Sequence, residues 1–214
     1  MINNSRHFQK WVLHPLALGL IVTGAIACQS QSPLKASSLP TSSISSQKSF
    51  SQNQAIYRSD RYGFQFSYSP KGFVVDDKAY KPTSNDNILS VVEIWTQQHA
   101  KEIRSGAYEG GTEYPANVSV RVASNPRKLS LQKWVEQSNQ FGITRTFKNT
   151  KIAGRNAFAF QSSGLYENEN LVFSHPKNSN IIIISFGKTN YGNHDAIYKK
   201  AFDQVLSSFK FVAR

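Results

Sequence analysis

The sequence predicts an α+β domain over residues 57–214, in which a single antiparallel sheet is flanked by helices in an α/β/α sandwich. Several short segments alternate between apolar and polar residues, as the half-buried strands of an antiparallel sheet do. Two other segments carry apolar residues at helical spacing, so they can cover the sheet. Connections between successive strands are short, which favours antiparallel pairing.

Seven strands are predicted, at 62–68, 88–96, 118–122, 144–152, 156–163, 166–174 and 181–186, with a turn at Gly154. The third places its valines on one face and Ser119 and Arg121 on the face pointing away. The last begins with four consecutive isoleucines, a pattern typical of a central strand that is covered on both faces.

Two helices are predicted. Ser130 is a good N-cap for a short helix that ends before Gly142 and carries Leu131, Trp134 and Val135 on one side. Asn193 or Asp195 begins the final helix, whose apolar residues recur at spacings of three and four. These residues, which should dock on the sheet, are Ile197, Tyr198, Ala201, Phe202, Val205 and Leu206.

The composition limits the kind of protein and its partners. The chain of 214 residues is 39% hydrophobic, enough for one well-filled core. Its 25 Lys and Arg against 13 Asp and Glu give a net charge of +12, which favours acidic partners or anionic lipid surfaces. No nucleic-acid recognition motif is visible, so nucleic acid is not expected as a partner.

The amino terminus, residues 1–27, has the pattern of an export signal. Arg6, His7 and Lys10 precede an uncharged, mostly apolar segment at 11–27 that ends in small residues. As a helix, this segment would reach only about 25 Å, short of a bilayer core of about 30 Å. Export is therefore favoured over a permanent membrane span.

The only cysteine, Cys28, directly follows this segment. The residues Ala25-Ile26-Ala27-Cys28 resemble a bacterial lipobox, in which the cysteine becomes the first mature residue and carries acyl chains. Ala25 stands where Leu is usual, so the same bond is also an ordinary signal-peptidase site. Lipidation of Cys28 is the preferred interpretation; an uncleaved anchor and a free secreted protein are the alternatives.

Residues 28–56 are expected to be a flexible tether. Positions 29–56 contain ten Ser, five Gln and no acidic residue. Such a polar, low-complexity segment buries too little apolar surface to offset its ordering entropy. As a flexible coil it would span roughly 30 Å, which keeps the domain close to the membrane.

No catalytic motif and no cofactor-binding motif is present, and no catalytic or metal-binding residue is predicted. Three weaker possibilities remain. The histidines His99, His175 and His194 would need the fold to bring them together to bind a metal. The pair Glu167 and Glu169 could serve acid–base chemistry, although a solvated face opposite Leu171 and Phe173 is favoured. The acidic residues Asp76, Asp77 and Asp86 could bind calcium from a loop.

The connection at 97–116 is predicted to be an unusually long loop, and long loops in compact domains are often functional. It carries Lys101, Arg104, Tyr108 and Tyr114. Arginine and aromatic side chains are the types that anchor interfaces. These four residues are therefore predicted to bind a partner protein; a mobile insertion without a role is the alternative.

Four segments form a recognisable combination: YRSDRYGFQFSYSP at 57–70, SLQKWV at 130–135, IAG at 152–154 and AFDQVLSSFKF at 201–211. Together they resemble the PsbP-like family. The resemblance implies an antiparallel sheet between helices, often in a lipoprotein, and it implies no catalytic residues.

Two functional interpretations follow. The first is a non-catalytic, lipid-anchored accessory protein of a membrane complex on the periplasmic or thylakoid-lumenal side, associated with photosystem II if the host is a cyanobacterium. The alternative is an envelope protein that handles a small molecule or a metal, including a weak hydrolase. The alternative predicts a deep pocket lined by ionisable groups with shifted pKa values.

Overall fold

The structure is a computed structural model that describes residues 53–83, 87–111, 113–190 and 193–213. The predicted leader, Cys28 and the tether up to residue 52 lie outside these ranges. The strands are β1 (Ala55–Ser59), β2 (Phe64–Tyr68), β3 (Phe73–Asp76), β4 (Ile88–Thr96), β5 (Asn117–Ala123), β6 (Ile143–Ile152), β7 (Arg155–Ser163), β8 (Glu167–Ser174), β9 (Ile181–Lys188) and β10 (Lys210–Phe211). The helices are α1 (Gln97–Arg104), α2 (Leu131–Glu136) and α3 (His194–Ser208).

The strands form two antiparallel sheets, so the prediction of a single sheet is wrong. A small sheet has the order β1-β2-β10, and a large one has the order β3-β4-β5-β9-β8-β7-β6. Strand β2 cannot join the large sheet because β1 and β10 already pair with it on either side. Strand β1 begins at Ala55, inside the predicted tether, and β10 has only two residues, which is too short to show alternation.

The prediction for the isoleucine run is confirmed. Strand β9 is the fourth of seven in the large sheet, and Ile181 to Ile184 are fully buried. Because side chains alternate along a strand, Ile182 and Ile184 enter one core while Ile181 and Ile183 enter the other. The large sheet is therefore covered on both faces.

Helices do flank the large sheet, as predicted. The larger core joins one face of that sheet to α1, α3 and the small sheet, through residues such as Ala100, Tyr198 and Phe64. The smaller core joins the opposite face to α2 through Trp134 and Val135. Three layers result, with the large sheet in the middle.

Local signals place the two predicted helices correctly. The Ser130 side chain accepts a hydrogen bond from the Lys133 backbone N–H, which caps α2. Helix α3 follows Asn193, and Asp195 in its first turn accepts hydrogen bonds from the backbone N–H groups of Thr189 and Asn190. These bonds join the residues that follow β9 to the first turn of α3.

Candidate functional site

The segment predicted as a long loop contains a helix, so that prediction is wrong for its first half. Helix α1 begins after Thr96, whose side chain accepts a hydrogen bond from the His99 backbone N–H. The sequence QQHAKEIR contains no glycine, proline or β-branched residue before Ile103, so nothing opposes helix formation. His99 and Ala100 are buried, and they hold the helix against the sheet. The glycines that suggest a loop all follow the helix.

The four predicted partner-binding residues lie on α1 and the chain that directly follows it; we call them the docking surface. Lys101 and Arg104 are one turn apart on the exposed side of α1. Neither forms an ion pair with any residue that the structure describes. Their charges are therefore available to a partner.

The two tyrosines of the docking surface are held in place by other side chains. Their rings stack at a centroid distance of 5.3 Å. The Tyr108 hydroxyl donates to Glu102 Oε2 at 2.5 Å, and the Tyr166 hydroxyl accepts from the Tyr114 backbone N–H at 3.0 Å. Tyr114 also packs on Trp95, yet its side chain remains 45% exposed. The pair is thus ordered and still accessible.

These contacts shift two pKa values. Desolvation, and then the hydrogen bond to Glu102, raise the pKa of Tyr108 to about 12. The hydrogen bond from Tyr108, followed by one from Gln98, lowers the pKa of Glu102. Tyr108 therefore stays protonated and Glu102 stays ionised at neutral pH, which preserves the bond between them.

Two of the three histidines are brought together beside α1. The rings of His99 and His194 meet edge to face with their centroids 4.8 Å apart. His99 Nδ1 lies 2.8 Å from the hydroxyl of Tyr198, which also accepts from the Thr96 backbone N–H at 2.8 Å. His175 lies elsewhere, where its Nε2 is 3.0 Å from the Tyr62 carbonyl oxygen. In the described ranges, no three His, Cys, Asp or Glu side chains are placed to hold a metal ion.

The His99 contact predicts a pH dependence of stability. Burial, with a further contribution from His194, lowers the pKa of His99 below 6.5, although Glu102 opposes the shift. The folded state therefore favours neutral His99, and the unfolded state takes up the proton first. The free energy of unfolding should fall as pH drops below 6.5, by at most about 1.4 kcal/mol per pH unit.

Urea unfolding of the wild type and of His99→Gln between pH 7.5 and about 5 tests this prediction. Carboxylates titrate in both proteins, so the difference between the two curves isolates the histidine. The wild type should have the steeper dependence. Equal slopes would show that His99 does not contribute.

The acidic residues are largely used within the fold. Glu167 pairs with Arg145 at 2.7 Å and Glu169 with Lys188 at 2.5 Å. Both glutamates lie on the same face of β8 as Leu171, because residues two apart on a strand point the same way. The prediction that they lie on the face opposite Leu171 and Phe173 is therefore wrong. The ion pairs account for both carboxylates without acid–base chemistry.

The acidic loop predicted as a weak calcium site also has internal partners. Asp76 ends β3, and its Oδ1 accepts from the backbone N–H groups of Lys78 and Ala79. Asp77 accepts from the Tyr57 hydroxyl at 2.9 Å. Asp86 lies outside the described residues. The Asp76 carboxylate therefore stabilises a turn, and the Asp77 carboxylate accepts from a side chain of β1.

A polar cavity lies on the α2 side of the large sheet. This polar cavity has a volume of about 230 Å³. It includes Glu93, whose pKa is raised by desolvation, and Arg121, whose pKa desolvation lowers to about 10. The sequence pattern places Ser119 and Arg121 on the face that points away from the valines and does not show that this face is covered, so the cavity was not predicted. The available signal was Ser185, one polar residue inside an apolar central strand.

Comparison with known proteins finds similar chains only among solved structures. No family model matches the chain, and no curated protein matches it. Among solved structures, the chain is similar to the solution structure of cyanobacterial PsbP (CyanoP) from Synechocystis sp. PCC 6803. The TM-score is 0.44 and the identity is 14%, over 74% of this chain and 92% of that chain. At this TM-score the similarity assigns no role to any residue of the docking surface or the polar cavity.

The described residues include no helix that is long and apolar enough to cross a membrane. The predicted lipidation site, Cys28, lies in the part of the chain that the structure does not describe. Lipid attachment therefore stays a prediction from the sequence.

Proposed function

We propose that this protein is an exported, lipid-anchored accessory protein that binds a membrane complex through the docking surface, without catalysing a reaction. The observation that carries this proposal is the ordered and accessible tyrosine pair beside two exposed cations. Tyr108 and Tyr114 already have the positions they would keep in a complex, since Glu102 and Tyr166 hold them. Binding would therefore cost little side-chain entropy.

The charges on this surface indicate the character of the partner. Lys101 and Arg104 have no anionic partner among the residues described, and the chain as a whole carries a net charge of +12. An acidic surface would be attracted at long range and would then pair with these two residues. The expected partner is a membrane protein complex with an acidic face on the same side of the bilayer.

The anchor and tether give this interaction its location. Acyl chains on Cys28 would hold the domain at the periplasmic or thylakoid-lumenal face of a membrane, and a tether of roughly 30 Å would let it reach a complex in the same membrane. Confinement raises the effective concentration of the domain near its partner. The PsbP-like resemblance of the sequence motifs suggests photosystem II as the complex if the host is a cyanobacterium.

Charge reversal tests the docking surface. The double variant Lys101→Glu/Arg104→Glu, expressed in the native host, should co-purify with membrane complexes at least about tenfold less than the wild type. Lys148→Glu/Lys151→Glu is the matched control, since it makes the same charge change at two exposed positions of β6. Co-purification should be measured by mass spectrometry after mild detergent extraction.

A second variant separates the aromatic contribution from the charges. Tyr114→Ser keeps the backbone hydrogen bond to Tyr166 but removes the exposed ring, and it should also reduce co-purification. If the control variant loses the partner as strongly as the charge reversal does, the effect is one of net charge. That result, or full retention by all variants, would contradict the docking surface.

A further inference from the structure

The polar cavity holds a guanidinium that has no described carboxylate in direct contact, although Glu93 attracts it through space. The Arg121 guanidinium donates from Nη2 to Ser185 Oγ at 3.1 Å, while its buried Nε–H has no partner. Arg121 forms no ion pair with a described carboxylate, although Glu93 lines the same cavity. Glu93 makes no hydrogen bond to Arg121 and leaves the buried Nε–H unsatisfied, so an anion that accepts directly from the guanidinium would be favoured.

A chain of hydrogen bonds fixes the guanidinium and the walls around it. Ser185 Oγ donates to Asn170 Oδ1 at 2.8 Å, and Asn170 Nδ2 donates to Ser162 Oγ at 2.9 Å. Together with the bond from Arg121, this network crosses four neighbouring strands, β5, β9, β8 and β7. Ser185, Asn170 and Ser162 are all buried, so this hydrogen-bond network needs little reorganisation when a ligand binds.

The cavity is lined by one cationic and one anionic side chain, and its volume limits the size of a ligand. Its walls combine Arg121 and Glu93 with hydroxyl and amide side chains, and the Phe141 ring lies 5.9 Å from the guanidinium carbon. At one end, the amide oxygens of Asn117 and Asn168 approach Gly187 so closely that a Cβ there would lie 3.3 and 3.2 Å from them. A volume of about 230 Å³ suits a molecule of roughly eight non-hydrogen atoms.

We propose that the polar cavity binds a small carboxylate that also carries a hydrogen-bond donor, with the carboxylate on Arg121 and the donor toward Glu93. A planar carboxylate matches the guanidinium, which can donate two parallel hydrogen bonds to it. Glu93 disfavours a doubly charged anion such as phosphate and accepts from a hydroxyl or ammonium group. This solute site goes beyond the proposed docking function and does not depend on it.

Calorimetric titration of the full-length chain in detergent tests the site with four probes: lactate, alanine, acetate and inorganic phosphate. Lactate or alanine should bind saturably, at least about tenfold more tightly than acetate, which lacks the donor. The better of the two identifies the donor as a hydroxyl or an ammonium group. No saturation by either probe at about 10 mM, or tightest binding of phosphate, would overturn the proposal.

Arg121→Met separates a binding role from a structural one. If the guanidinium serves a ligand, the variant should lose binding by about 30-fold or more, while the probe-free protein unfolds at the same or a higher urea concentration. Arg155→Met, at an exposed position of β7, is the matched control and should bind like the wild type. Undiminished binding by Arg121→Met would overturn the proposal.

A second variant keeps the test valid if Arg121→Met does not fold. Ser119→Leu fills the cavity from β5 and leaves Arg121 in place. It should fold, because it adds apolar volume to a space that already exists, and it should lose lactate or alanine binding. A folded Ser119→Leu protein that binds as tightly as the wild type would place the ligand elsewhere and overturn the site.

Discussion

Replacing Phe173 by alanine should lower the free energy of unfolding by about 4 kcal/mol. Phe173 is fully buried on β8, and its ring meets Phe209 at 5.2 Å and Phe211 at 6.0 Å, both edge to face. Phe209 follows α3 and Phe211 lies on β10. One side chain therefore joins the large sheet, the final helix and the small sheet, and its removal leaves a cavity where all three meet.

Urea unfolding followed by circular dichroism measures the effect, with Leu165→Ala as the control. Leu165 is 79% exposed, so its truncation should change the free energy by less than about 0.5 kcal/mol. A single transition is expected for the wild type because the two sheets share one core. A loss below about 1 kcal/mol for Phe173→Ala, or separate transitions for two parts of the domain, would contradict the shared core.

Replacing Cys28 by serine should move nearly all of the protein from the membrane fraction to the soluble fraction. Acyl chains contribute about 0.8 kcal/mol per buried CH₂ group, so two or more chains anchor a protein stably at the bilayer. Serine cannot be acylated by the lipoprotein route. Because Ala25 and Ala27 still form an ordinary signal-peptidase site, the variant should be cleaved and released.

Carbonate extraction of membranes and the intact mass of the product distinguish the three interpretations of the leader. A lipoprotein predicts a membrane-bound wild type and a soluble, cleaved variant. An uncleaved anchor predicts that both stay in the membrane with the leader attached. A free secreted protein predicts that both are soluble, and either of the last two results would contradict lipidation of Cys28.

Much of the fold could be predicted because the burial of a strand on one or both faces determines which of its residues are apolar. The isoleucines at 181–184 indicate a strand that is apolar on both sides, and β9 is central with both faces covered. The Ser130 cap of α2 and the start of α3 after Asn193 are likewise local features. Helix α1 was missed because the glycines after it dominate the pattern of that segment, although Thr96 and the buried pair His99 and Ala100 mark its start.

The rest depends on contacts between distant residues, which no local pattern contains. The pairing of β10 with β2 decides that there are two sheets, and it joins Phe211 to Phe64, far apart in the chain. The polar cavity likewise needs β5, β9 and β8 side by side before Arg121 meets Ser185 and Asn170. Alternation predicts which face Arg121 occupies but not whether α2 and its following loop cover that face.

Crosslinking in native membranes with a lysine-reactive reagent, followed by mass spectrometry, tests the central claim most directly. The docking surface predicts that Lys101 is joined to one other polypeptide of a membrane complex, whereas the exposed lysines Lys148 and Lys151 on β6 are not. Crosslinks to a second polypeptide from Lys148 and Lys151 but none from Lys101 would contradict it.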